Sequence, residues 1–140
     1  MKIANECTGF DRQNGWSPVG HTLQGIDHSA NHRDRCALLL DFIHGIADYD
    51  KQLHEVVATE ENVRELLFGK ESVNEALIAE CNGEAVAFAV CFHNFSTFMG
   101  RRGLYLEDLF VKPEFRRQGI GKKLLVYLTK IAVNRGCSCL

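Results

Sequence analysis

One stretch limits what this chain can fold into more than any other: LYLEDLFVKPEFRRQGIGKKLLVYLTKIAVNR, residues 104–135. Residues 104–111 read as a strand and residues 112–121 as a short basic loop rich in glycine; a helix begins within the loop's last glycines. In that helix Ile120, Leu124, Leu125, Leu128, Ile131 and Ala132 recur at the offsets of one apolar face, while Lys122, Lys123, Lys130 and Asn134 take the other. Gly136 is placed to stop it. The join between strand and helix has a defined chemistry. First-turn N–H groups lack intrahelical partners and carry the positive end of the helix dipole, so a helix entered this way is an anion site. In Arg116-Arg117-Gln118-Gly119-Ile120-Gly121-Lys122 the two glycines remove side chains that would keep a phosphate from those N–H groups, and three cations flank them. The expected ligand is a phosphate or pyrophosphate.

Composition narrows the surroundings of that site. At 140 residues the chain suits one domain, and 46% hydrophobic with 24% charged residues is an ordinary globular mixture. A net charge of -2 gives no global attraction to nucleic acid or to an anionic membrane, so the loop cations are a local feature. No apolar run approaches the length of a membrane span, and the N-terminus lacks the apolar core of a signal peptide, so a cytoplasmic protein is expected. The six cysteines then read as free structural thiols, and Cys137-Ser138-Cys139 has neither zinc-site nor redox spacing. His28 and His32 have helical ligand spacing but no third ligand nearby in sequence, so no metal is expected.

The rest of the chain supplies a core. Residues 1–33 form a poorly patterned N-terminal arm, and residues 34–140 the folded domain. Leu38, Leu39, Phe42, Ile43 and Ile46 make a helical stripe, with Asn31 or Asp34 as candidate cap. Thr59 caps a second helix with Val63, Leu66 and Leu67 on its apolar side and Gly69 as its stop. Asn82-Gly83 between two apolar runs, residues 76–80 and 85–92, is a hairpin signal. A loop over residues 94–103, carrying Phe95, Phe98 and Met99, then leads to the strand at 104–111; these apolar residues read as core or loop packing, or as the wall of a channel.

The order strand, Arg116-x-x-Gly119-x-Gly121 and amphipathic helix resembles the acetyl-CoA signature of the GCN5-related N-acetyltransferase superfamily. Tyr105-Leu106-Glu107-Asp108-Leu109-Phe110-Val111, together with Ile46-Ala47-Asp48-Tyr49-Asp50, resembles its diamine branch of the spermidine/spermine type. The resemblance implies a mixed α/β fold, a largely antiparallel sheet with flanking helices, and a first strand for which only residues 26–31 are available. It implies acetyl-CoA as cosubstrate, no metal, a small-molecule amine as acceptor and a homodimer. The pyrophosphate would sit on Arg116, Arg117, Gln118, Gly119, Ile120, Gly121 and Lys122, and the pantetheine along the backbone of Leu109, Phe110 and Val111. Tyr49, Asp50 and Glu107 would surround the amine, with Glu107 and Asp108 as the catalytic acids. The residues alone leave a second reading open, in which Glu107 or Asp108 forms an ion pair with Arg101 or Arg102. Adjacent strand residues also point to opposite faces, so both acids can reach one pocket only if the strand bulges. The sequence ends at Leu140, where the family enters its fifth strand. A domain lacking the last strands and helix, and the tyrosine that protonates the departing thiolate, is therefore expected, since Tyr49, Tyr105 and Tyr127 do not match that tyrosine. A non-catalytic CoA-binding or interaction fragment is the alternative.

Overall fold

The structure, a computed structural model, describes residues 21–25 and 32–140. Strand β1 (His21–Gly25) is followed by helix α1 (His32–Tyr49), helix α2 (Glu60–Phe68), strands β2 (Asn74–Cys81), β3 (Glu84–Ser96) and β4 (Arg101–Val111), and helix α3 (Ile120–Asn134). The strands form one antiparallel sheet in the order β1-β2-β3-β4. It is the mixed α/β, largely antiparallel arrangement expected from the sequence.

Pleat alternation divides the core between two faces. Leu77, Ala79, Ala87, Ala89, Cys91 and Leu104 pack against Ile120, Leu124, Leu128 and Ala132 of α3. On the other face Ala76, Ile78, Phe88 and Phe110 pack against Cys36, Leu39 and Phe42 of α1 and Val63 and Leu67 of α2. Phe42 stacks on Phe88 at 5.0 Å and meets Phe110 edge-on at 6.3 Å. A Cβ on Gly45 would lie 2.9 Å from the Phe110 ring, so this glycine lets α1 approach β4. Two residues of the expected apolar faces, Leu66 and Leu125, are exposed.

Turn chemistry joins the elements. Asn82 and Gly83 both have positive φ, 52° and 82°, as a two-residue hairpin of type I′ requires. At α2 the Thr59 hydroxyl accepts from the Asn62 N–H and the Asn62 side chain accepts from the Thr59 N–H, a capping box. Helix α3 ends as expected at Gly136 (φ 68°), where Cys137 N–H donates to Ala132 O and Gly136 N–H to Val133 O, the paired bonds of a Schellman motif.

Two expectations change. The first strand lies at His21–Gly25, recruited by backbone pairing with β2 (His21↔Cys81 to Gly25↔Leu77) rather than by an apolar pattern of its own; residues 26–31, with Asn31 and His28, lie outside the described residues. The expected 94–103 loop is mostly strand, because Asn94↔Gly103, Phe95↔Arg102 and Ser96↔Arg101 continue the β3–β4 ladder. Only residues 97–100 turn. Phe95, Phe98 and Met99 are exposed at this end, because the ladder runs beyond the reach of either helical layer. The free cysteines include buried Cys36 and Cys91, and burial raises the Cys91 thiol to about 12.

Leu128 is fully buried and Leu125 is 43% exposed one turn away. Leu128→Ala is expected to cost about 3 kcal/mol and Leu125→Ala about 0.5 kcal/mol, read as the difference in urea unfolding midpoints. Equal losses would mean that α3 packs on another face.

Candidate active site

The site is built around an irregularity in β4. Val90 pairs with Asp108 and the next residue of β3, Cys91, pairs with Leu106, so Glu107 is an extra residue in β4. Such a bulge shifts the alternation by one. Before it Leu104 and Leu106 face α3; after it Leu109 and Val111 do. The bulge brings Glu107 and Asp108 to the wall of the same cavity, of about 520 Å³, which Ile46, Tyr49, Asp50, Leu109, Phe110, Val111 and Arg116 complete.

The far wall comes from the end of α1. The helix continues through Tyr49 and closes with Gln52 N–H donating to Ala47 O (2.7 Å) and Lys51 N–H to Asp48 O (3.1 Å), a Schellman motif with Lys51 at φ 60° in the position usually given to glycine. This closure fixes Tyr49 and Asp50 at the cavity. No glycine marks this closure, so the residues by themselves do not show where the helix ends.

Asp50, Glu107 and Asp108 have no ion-pair partner among the described residues; the alternative pairing with Arg101 or Arg102 is not formed. Burial, and then the negative charges of Glu107 and Asp50, hold the Asp108 carboxyl above the ordinary carboxylate range. Asp108 thus binds its proton more tightly than an exposed aspartate does.

The backbone beside the acids has an open edge. β4 is the last strand of the described sheet, and the chain after α3 pairs with it only at its start, through Ser138 N–H to Arg102 O (2.8 Å) and Leu104 N–H to Cys139 O (3.0 Å). Lys112 N–H donates to Val86 O on the β3 side, so in antiparallel alternation Val111 and Leu109 direct their N–H and C=O groups away from β3. Arg116 Nε takes up the Val111 carbonyl at 2.9 Å. Leu109 is left facing the open edge.

The loop then reaches α3 through two left-handed residues, Arg117 (φ 63°) and Gly119 (φ 77°). Gly119 is the N-cap, and no side chain caps the first turn. Gly121 is not needed for packing: a Cβ there would make only ordinary 3.6 Å contacts with Leu109 and Val111. An uncapped helix start with a glycine that packing does not explain leaves room for a phosphate to approach closely. Ile120 is buried beneath it, and Gln118 and Lys122 are exposed around it. Arg116, which the sequence motif groups with this loop, sends its guanidinium over the Tyr49 ring at 4.6 Å and the Phe110 ring at 5.4 Å. Among the described residues no group of three His, Cys, Asp or Glu side chains could hold a metal, and no helix is long and apolar enough to cross a membrane.

The folded protein holds the Asp108 proton more tightly than the unfolded chain does. The stability tied to that proton is complete below the unfolded value near 3.8 and is lost as pH rises through the raised folded pKa. Asp108→Asn is therefore expected to raise Tm at neutral pH, with the gain shrinking as pH falls toward 3.8. A Tm difference that does not vary with pH would count against a buried carboxyl.

Comparison with known proteins gives the site its setting. A thialysine N-epsilon-acetyltransferase of Bos taurus is 36% identical over 111 residues, 74% of this chain and 65% of that protein. The chain thus spans 65% of the length of this curated relative. An L-ornithine N5-acetyltransferase of Arabidopsis thaliana is 33% identical over 69 residues, 49% of this chain and 27% of that protein. The fold matches an aminoglycoside acetyltransferase from an uncultured soil metagenomic sample with a TM-score of 0.69 at 16% identity, covering 85% of this chain and 74% of the other. Residues 42–140 match the profile of the acetyltransferase (GNAT) family, and with most of the chain inside that match, the protein is a member of it.

Proposed function

We propose that this protein is an acetyl-CoA-dependent N-acetyltransferase that moves an acetyl group to a small cationic amine by direct attack in a ternary complex. The observation that carries the reading is the bulge at Glu107, which gathers two carboxylates in one cavity beside an unpaired strand edge that leads to an uncapped, glycine-opened helix start. Gly119, Ile120, Gly121 and Lys122 would hold the pyrophosphate, with Arg117 and Gln118 at its rim. The Leu109–Val111 backbone would hold the pantetheine amides as an added strand would be held. Acetyl-CoA would supply the acyl group as a thioester, whose carbonyl is the electrophile.

Tyr49, Asp50 and Glu107 surround the amine in this reading. An alkylammonium has a pKa of about 10.4, so it must lose a proton before it can attack. Asp108, with its raised proton affinity, and Glu107 are the acceptors at hand. An outward-facing N–H near Leu109 would stabilise the thioester oxygen as charge develops on it. The free thiols among the described residues suit a cytoplasmic protein, and the family setting favours a homodimer.

The test is calorimetric titration with acetyl-CoA followed by thiol release on adding a panel of diamines and diamino acids. Binding with turnover is expected; binding without turnover would leave a CoA-binding module and overturn the enzyme. Glu107→Gln should raise KM for the amine roughly tenfold and leave KM for acetyl-CoA within about twofold; unchanged kinetics would remove Glu107 from the site. Gly121→Ala should fold normally, since the added Cβ meets only ordinary contacts at 3.6 Å, yet weaken acetyl-CoA about tenfold. Undiminished affinity would move the phosphate elsewhere.

A further inference from the structure

We propose that the tip of the β3–β4 hairpin docks on an anionic membrane surface, with Phe95, Phe98 and Met99 entering the headgroup layer and Arg101 and Arg102 binding its negative headgroups. None of these residues lines the cavity, and the inference does not depend on the proposed reaction.

The tip is apolar where folding does not require it. Gly100 N–H donates to Ser96 O at 2.9 Å, Met99 N–H donates to Ser96 Oγ at 3.2 Å, and Gly100 takes φ 59°, so the turn over residues 97–100 is held by backbone and by Ser96. Polar side chains at 98 and 99 would leave each of these bonds in place, and turns ordinarily carry them. Yet Phe98 is fully exposed, and Phe95 and Met99 are mostly so. Three large apolar side chains at one end of a ladder form a patch, unlike the scattered exposure normal for a surface.

Charge identifies the partner. Between Glu84 and Glu107 the chain has no Asp or Glu, although its net charge is -2. Glu75, near the start of β2, is taken by Arg135 through two N–H groups. Arg101 and Arg102 follow the turn directly and form no ion pair among the described residues. Alternation sends them to opposite faces of the ribbon, so a guanidinium stands on each side of the apolar tip. At roughly 3.4 Å per strand residue they lie about 5–10 Å behind Phe98, the depth to which an interfacial apolar surface enters. A second copy of the chain fits less well. Three side chains offer on the order of 500 Å² against about 800 Å² per partner in a stable dimer, and a two-fold contact would bring the same arginines together. A bilayer needs no matching shape and supplies the negative charge.

The test is co-sedimentation with vesicles of phosphatidylcholine alone or with about 30% phosphatidylserine. The native chain should bind the anionic vesicles about 25-fold tighter, roughly fivefold for each arginine, and lose most of that preference in about 0.5 M NaCl. Equal affinity for the two vesicles, or none for either, overturns the proposal. Arg101→Gln with Arg102→Gln should bring the ratio to about one, and Phe98→Ser should weaken binding to the anionic vesicles about tenfold. If a variant fails to fold, the comparison of the two vesicles on the native chain still decides. Binding that survives the tip variants and is lost in Arg117→Gln with Lys122→Gln would belong to the glycine loop and overturn the proposal. So would a dimer in sedimentation velocity that Phe98→Ser breaks while vesicles stay unbound. Acetyl-CoA affinity should be the same in the native chain and the tip variants, so failure of the reaction and failure of docking read separately.

Discussion

The pairing of β3 with β4, one residue out of step at Glu107, is the constraint on which the other features of the site depend. Both strands must give an apolar face to α3, and the bulge lets β4 do so at Leu104 and Leu106 and again at Leu109 and Val111. A regular strand of the same composition would have turned one half of that set away from the helix. The extra residue thus keeps the packing continuous, and by the same displacement it brings two adjacent acids to one cavity. Core and site are products of a single register.

Helix ends hold what the bulge begins. The last turn of α1 would fray if its carbonyls were left to water, but Gln52 and Lys51 close it, and Tyr49 and Asp50 therefore sit on a fixed element. Arg116 ties that end to β4 through the Val111 carbonyl and two aromatic rings. The start of α3 is the opposite case. Its first turn has no side-chain cap, while its buried face is anchored by Ile120 and Leu124. A rigid helix with open N–H groups is poised for an anion at little further cost in ordering.

What could be read from the residues was the part written in local chemistry. The α3 stripe, the Asn82-Gly83 turn, the Thr59 cap and Gly136 as a stop each depend on neighbours within a few positions, and each is found where expected. Glu107 and Asp108 were visible as acids, but not which way they point, because the apolar run Leu109-Phe110-Val111 masks the phase shift after Leu106, and which residue is skipped is set by pairing with β3. The position of β1 was hidden for the same reason, since its partner, β2, lies more than fifty residues away. Arg116 carries a phosphate-loop signature in sequence, whereas its contact with Tyr49 joins elements that only the folded chain brings together.

The bulge also makes the length of β4 as significant as its composition. A substitution at Glu107 alters one side chain, and its effects stay at the cavity. Deleting Glu107 would leave Leu106 opposite Cys91 and Asp108 opposite Val90 in regular alternation, so Leu104, Leu106, Leu109 and Val111 would keep their common face while the cavity lost one of its two adjacent acids. The core face of β4 is thus compatible with two strand lengths, and only the longer one sets both acids at the cavity.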